Sequence, residues 1–554
     1  MTKSLQSLAV GAALLSAPFL GAAAQAPRTS WPAIDSVFKD FEGRRPGCAV
    51  AVASRDTIIY EHGYGQAILE WNVPIGPATV FEIGSTSKQF TAMSVLALEH
   101  DGRLSLNDDL RKWIPELPVY GKPIRLYHLL HHTSGIRDYD PLLVYRGIRT
   151  HDVGTNADIL DVLSRQRALN FPTGTRWQYS NSNYVLLAIV VERVSGQRFR
   201  DFVRHRWFEP LGMTASLIRD DHTEVIPNRA RGYQASSDST WTVNDSNWEE
   251  TGDGSVQTNV RDLARWADNL RTGRVGGADL VRKMVQPGAL DDGTPVTYAA
   301  GLVVDRWRGL TRVAHGGSWA GYRADLLLFP EPALSVLTTC NLGSANPSAL
   351  ALEVADRVLG NRLAPETKAE AGTGRTADVA GLVGTYWSEE EAQALSFRTV
   401  DGALAVVAPG GAVIRLQDLG DSRFLVPGSD YRPSFRRRPA GKPELVLRIG
   451  DRETLYRQVP PADTSAAALR ALVGAFGSDE LGGVVWKVSA DRGKLVLRSV
   501  GATETAPLTP LAADAWSGSI FGESVTLRFV RAAGRVTGFT ANGFALHGLA
   551  FRRI

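Results

Sequence analysis

The last third of the chain repeats itself. Residues 382–390 read LVGTYWSEE, and 90 residues further on residues 472–480 read LVGAFGSDE; the Asp401 of Asp401-Gly402 is echoed at the same offset by Asp491 of Asp491-Arg492-Gly493, whose glycine falls one residue later. A constant offset over separate stretches marks a tandem duplication, so this region must fold as two copies of one unit. Almost every other pattern in it is a short alternating strand. An antiparallel unit of this size removes its exposed edges by closing on itself, so two small β-barrel-like domains are expected, at 381–460 and 468–554. The segment VPPADTSAA at 459–467 separates them.

Upstream of the repeats, residues 364–380 open with APETKAEAGTGRTA, a polar stretch of small residues that reads as a linker. Before it the periodicity is mixed. Ile34, Val37, Phe38 and Phe41 recur at helical spacing, then strand patterns at 47–54 and 57–64 flank the polar turn Arg55-Asp56. Helical patterns dominate the middle, at 88–100, 184–194 and 263–270. Strand-like runs return at 310–314, 324–329 and 334–340. Strands at both ends of a helical middle predict an α+β domain, residues 27–363, whose single sheet is closed by its two termini.

Composition narrows the function. Lys plus Arg total 61 against 58 Asp plus Glu, a net charge of +3. No basic face is implied, and nucleic acid is not an expected partner. Cys48 and Cys340 are too few for a thiolate metal site or a disulfide framework, and whether they pair depends on their separation in space. Residues 1–26 carry Lys3 as their sole charge, an apolar run from Leu8 to Leu20, and then Ala22-Ala23-Ala24-Gln25-Ala26. This pattern predicts a cleaved signal peptide and a periplasmic or secreted protein without a stable membrane span.

Three short motifs carry chemistry. Ser85-Thr86-Ser87-Lys88 opens the helical pattern at 88–100; one turn of helix brings the Lys88 ammonium within reach of the Ser85 hydroxyl. A serine needs a neighbour to take its proton, and a lysine can do so if burial or surrounding positive charge lowers its pKa. Tyr179-Ser180-Asn181 precedes the helix at 184–194. A nearby lysine favours the phenolate of Tyr179, a candidate base, and Asn181 can bond both a lysine and a substrate amide. His315-Gly316-Gly317-Ser318 follows the strand-like 310–314, where two glycines let a substrate approach the backbone. Read singly, these are an N-capping serine, an Asx-turn and a tight turn.

Taken together, in this order and spacing, Ser-x-x-Lys, Tyr-x-Asn and His-Gly-Gly resemble the three motifs of the serine β-lactamase and penicillin-binding protein superfamily. The tyrosine is similar to class C β-lactamases; histidine in place of lysine in the third motif resembles the D-aminopeptidases and related esterases. Leu130-His131-His132-Thr133-Ser134-Gly135, Phe171-Pro172-Thr173-Gly174 and Leu211-Gly212-Met213 look like the same family, and the resemblance spans Trp31 to Gly360. It implies Ser85 as the acylated nucleophile, Lys88 and Tyr179 sharing its proton, and Asn181 orienting Lys88. It also implies an oxyanion hole from the N–H groups of Ser85 and Ser318, with His315 assisting electrostatically. A histidine there titrates near neutrality, so a pH dependence around 6–7 is expected. Gly316, Gly317, Trp319 and Tyr322 are the candidate substrate-binding residues, and neither a cofactor nor a metal is implied. D-aminopeptidases look similar in carrying two C-terminal β-barrels, one of which sends a loop towards the active site.

The expected function is therefore an acyl-enzyme hydrolase for small or D-residue-containing peptides. A carboxylesterase or weak β-lactamase of the same family is the first alternative, and a catalytically silent peptide-binding homologue the second. Gly316-Gly317-Ser318-Trp319-Ala320 nearly fits an α/β-hydrolase elbow, but only His547 follows it, at the far end of the second repeat. His128, His131 and His132 lack metalloprotease spacing and read as a helix turn with one core and two surface histidines. Arg436-Arg437-Arg438 reads as a solvated hairpin tip.

Overall fold

The computed structural model describes residues 31–237, 240–365, 378–407, 413–427, 429, 431–436, 441–449, 452–500 and 505–554. The leader at 1–26, most of the linker and Arg437-Arg438 lie outside the described residues. Six strands form the central sheet: β1 (Cys48–Ser54), β2 (Thr57–Tyr64), β3 (Val303–Trp307), β4 (Leu310–Trp319), β5 (Tyr322–Phe329) and β6 (Leu334–Cys340), in the order β3-β4-β5-β6-β1-β2. The antiparallel pairing of β1 with β6 joins the two sequence ends of this sheet, which is the α+β arrangement expected.

Alternation along the strands sorts the two faces. Ala49, Ala51, Ala53, Leu326 and Leu328 face the helical middle, while Val50, Val52, Leu327 and Phe329 face the N-terminal helical turns and the helix Pro347–Leu359. Small side chains on the first face let α1 (Lys88–His100) approach closely. Every residue of α1 from Lys88 to Leu98 is buried, so its polar groups must find partners inside. Most do: Trp266 donates to the Gln89 side-chain oxygen (2.9 Å) and Trp207 to Ser94 (2.9 Å), while the Gln89 amide nitrogen is buried without a hydrogen bond.

Cys48 and Cys340 stand opposite each other in the β1–β6 ladder, 4.0 Å apart at Cα, and form a disulfide. The bond ties together residues 292 apart, enclosing the helical middle. Closing so long a loop stabilises by about 6 kcal/mol in the chain-entropy account.

The two repeats become barrels of unequal closure. The second is a closed eight-stranded barrel, Gly474–Ser478 to Leu546–Arg553. The first is a nine-stranded sheet whose edges, Val413–Arg415 and Gln417–Gly420, are consecutive in sequence. One strand of the ring is interrupted at Leu416, which buries its side chain and donates its N–H to the Leu404 carbonyl, so the barrel stops just short of closure. The repeated motif is the first strand of each barrel: Tyr386 and Phe476 fill equivalent core positions, and Ser388 and Ser478 are both buried.

Two local expectations change. Strand β4 does not stop at Ala314 but runs through the third motif to Trp319, because Gly316, Gly317 and Ser318 keep their register against Asp325, Ala324 and Arg323. The helix expected at 184–194 starts earlier, as α2 (Asn181–Ser195), which makes Asn181 its first residue.

Candidate active site

The nucleophile sits on a turn between strand and helix. The strand Phe81–Glu82 leads into the 3₁₀ turn Gly84–Ser87, which runs directly into α1. Gly84 has φ +47°, and a Cβ there would stand 2.7 Å from the Ser318 backbone nitrogen. A Cβ on Gly317 would stand 1.8 Å from the Ile83 carbonyl oxygen. Glycine at both places lets β4 lie against the nucleophile turn, bringing the Ser318 backbone beside Ser85. Of the residues from Gly84 to Lys88, Ser85 alone is more than marginally accessible.

Lys88 is fully buried, and its ammonium donates to Ser85 Oγ (3.0 Å), Asn181 Oδ1 (2.8 Å) and the Asp253 carbonyl (2.9 Å). Burial lowers its pKa to about 8, against the opposing pull of Asp253, Asp138 and Asp140. Lysine has no acceptor, so Asn181 must turn its oxygen to Lys88 and its amide to Asp140 Oδ2 (3.1 Å). The Tyr179 ring lies under the ammonium, 4.9 Å from Nζ. Its hydroxyl is buried beside Ser85 without a hydrogen bond of ordinary geometry, and burial pushes its pKa well above 10. The expected phenolate is thus overturned: desolvation, joined by the nearby Asp253, Asp138 and Asp140, disfavours the charged form, and Tyr179 is a neutral phenol at rest.

His315 also departs from expectation. Its Nδ1 lies 2.6 Å from the Gly316 carbonyl, which can only accept, so Nδ1 carries the proton and Nε2 accepts from the Tyr298 hydroxyl (2.9 Å). Burial, reinforced by Lys88, lowers its pKa to about 4. The imidazole is neutral throughout the physiological range, so the pH dependence expected around 6–7 does not arise from it.

The candidate substrate-binding residues divide. Gly317 faces the site. The missing side chain of Gly316 points towards Ser348 and Asp325 instead, on the other face of β4. Trp319 is half-buried and lies 5.4 Å from Trp248, whose ring is 6.0 Å from that of Tyr139. Tyr322 forms no wall: it is buried, and its hydroxyl donates to the Ala230 carbonyl (2.8 Å) and Asp245 (2.7 Å).

All three clustered histidines are buried, not one as expected: His128 lies within the short helix Leu126–Leu130 beside Asp291, His131 packs on Tyr127, and His132 lies against Tyr179. His132 packs with its ring tilted, 4.3 Å from that of Tyr179, and accepts from the Ser180 N–H and the Asn183 amide. The stretches 130–135 and 171–174 are one bonded unit: the Gly174 and Gln178 N–H groups donate to the Thr133 and His132 carbonyls. Their role is to hold Tyr179.

Sequence reasoning missed a buried acidic group beside Lys88. Asp138, Glu250 and Asp253 are buried, and Asp140 adjoins them; desolvation raises the pKa of all four, that of Asp138 to about 7. Asp138 Oδ1 accepts from the Asp140 N–H (3.0 Å) and Oδ2 from the Asn181 N–H (2.6 Å). One carboxylate therefore caps two helices, Tyr139–Arg146 and α2, at ends where orphan N–H groups and the helix dipole favour an anion. No local pattern announces this, since the partners come from four separate segments.

The sequence matches the model of the β-lactamase family over residues 34–360. The chain belongs to the β-lactamase family of serine hydrolases. It is similar to a D-aminopeptidase of Gluconobacter oxydans, 30% identical over 372 residues that make up 67% of each chain. A D-aminopeptidase of Brucella melitensis biotype 2 is 25% identical over 541 residues, 94% of this chain and 98% of its own length, so the likeness extends through both barrels. Among solved structures, the octameric penicillin-binding protein homologue from Pyrococcus abyssi shares the fold, with a TM-score of 0.54 and 22% identity, covering 74% of this chain and 95% of that one.

Proposed function

We propose that the protein hydrolyses amide bonds through an acyl-enzyme on Ser85, acting on short peptides or amides with a free amino-terminal D-residue. The observation that carries the mechanism is the Lys88 ammonium, buried, 3.0 Å from Ser85 Oγ and lowered to about 8. The neutral amine takes the Ser85 proton as Oγ attacks the carbonyl carbon. The N–H groups of Ser85 and Ser318 hold the developing oxyanion. Neutral Tyr179 relays a proton to the leaving nitrogen, and the same groups activate water to release the acid. The substrate class rests on the likeness to D-aminopeptidases across the catalytic domain and both barrels. A periplasmic or secreted location is proposed from the leader sequence and the disulfide, which persists in oxidising compartments.

The test is turnover of D- and L-alanine p-nitroanilides beside p-nitrophenyl esters. Amide cleavage with D-preference, lost by roughly 10³-fold or more in Ser85→Ala, is expected; ester-only turnover would refute the peptidase reading. The pH profile separates Lys88 from the other candidate titrating groups. Because Lys88 must lose its proton to act, kcat/KM rises with pH and levels off above about 8. An inflection at 6–7 would instead assign the titration to Asp138, which burial raises to about 7, or to His315 against its burial, and its loss in Asp138→Asn would tell the two apart.

A further inference from the structure

Asp138 joins the catalytic helix to the second barrel. Its carboxylate caps α2 at Asn181, the residue that holds Lys88. Its own N–H donates to the Ala545 carbonyl (2.9 Å), in the turn that links the last two strands of the barrel, Arg535–Gly543 and Leu546–Arg553. The preceding residue, Arg137, is buried and donates to Glu480 (2.7 Å) and Gln166 (2.9 Å). Glu480, also buried, lies in the repeated motif of the second barrel and accepts from the Arg167 N–H (2.8 Å). Gln166 donates to the Glu480 carbonyl (3.1 Å), completing the connection.

We propose that Asp138 is a positioning residue for the Asn181–Lys88 pair, and that the second barrel fixes it there through the Ala545 carbonyl and the Arg137–Glu480 ion pair. The chain of contacts is continuous: barrel turn, Asp138, Asn181, Lys88, Ser85. A carboxylate held at one end by its main chain and at the other by the helix it caps has little freedom. Removing the barrel's hold lets Asn181 drift, and the lysine drifts with it. Displacements of this kind cost roughly 10- to 100-fold in rate without altering where the ligand first docks.

The proposal rests on Ser85 being the acylated residue, so the experiment reads acylation directly. The full chain is labelled with a fluorescent fluorophosphonate, far below its unfolding temperature, and the maximal rate and half-saturating concentration are measured. Asp138→Asn and Glu480→Gln are each expected to slow the maximal rate about 10- to 100-fold with the half-saturating concentration unchanged. The double variant is expected to be no slower than Asp138→Asn alone, since both act along one chain of contacts. Gln166→Leu loosens the same junction without stranding a buried charge, and decides the matter should Glu480→Gln not fold. Arg528→Gln, which breaks an exposed contact between the two barrels, keeps the parent rate. Parent rates in Gln166→Leu and Glu480→Gln, or effects that multiply independently in the double variant, would overturn the proposal. A parent protein left unlabelled at Ser85 would instead overturn the acyl-enzyme reading beneath it.

Discussion

The two barrels open on the same repeated motif yet meet the rest of the molecule differently. The equivalent glutamates show it. Glu480 of the second barrel is buried and pairs with buried Arg137, whereas Glu390 of the first is 43% exposed and sits 3.3 Å from Arg176. The cores differ likewise. That of the second barrel is continuous with the catalytic domain, Tyr145 packing 5.3 Å from Trp486, while that of the first is a separate cluster around Tyr386, Phe397 and Phe435. Duplication kept the strand that founds each barrel and freed the residues at its end to specialise. One copy became part of the catalytic body, the other an appendage.

The sharpest way to break this comparison is to truncate one aromatic in each core. Trp486→Ala and Phe435→Ala should each cost about 3–5 kcal/mol. Activity should be lost at a lower temperature only in Trp486→Ala, because among the described residues that core, and not the first barrel's, is shared with the active-site domain. Equal activity-loss temperatures, followed by activity after stepwise heating, would show that the barrels are equivalent after all. Next in size is Glu480→Gln, about 3 kcal/mol in denaturant unfolding, since it leaves Arg137 buried with Gln166 as its remaining side-chain partner. Glu390→Gln, at a half-exposed site, should cost under about 1 kcal/mol. Smallest is Arg528→Gln between the barrels, where the guanidinium is 44% exposed and donates to Glu389 (2.9 Å); a change of about 0–1 kcal/mol is expected. A larger loss there would mean that the first barrel braces the second.

The motifs that define the site were legible because each is local. Ser85 and Lys88 share one turn, and the glycines at 316 and 317 advertise a close approach of backbone, although only Gly317 turned out to face the nucleophile. Tyr322 was misplaced for a general reason: an aromatic next to a motif reads the same whether it lines a pocket or fills the core, and the Asp245 and Ala230 partners that bury it are 77 and 92 residues away. Protonation states were misjudged for a related reason. A sequence shows which charges are near in the chain but not how much water is excluded, and exclusion of water sets Tyr179 high and His315 low.

By itself, then, the sequence determined the duplication, the α+β layout with its sheet closed by the two ends, and the Ser85–Lys88, Tyr179–Asn181 and His315 motifs, since periodicity and short spacing are properties of neighbouring residues. The tertiary structure alone decided the rest: that Cys48 meets Cys340 across a ladder, that Asp138, Asp140, Glu250 and Asp253 gather around one lysine, and that the second barrel shares its core with the catalytic domain. These are contacts between residues far apart in the chain, and burial, which gives them their energy, exists only once the chain has folded.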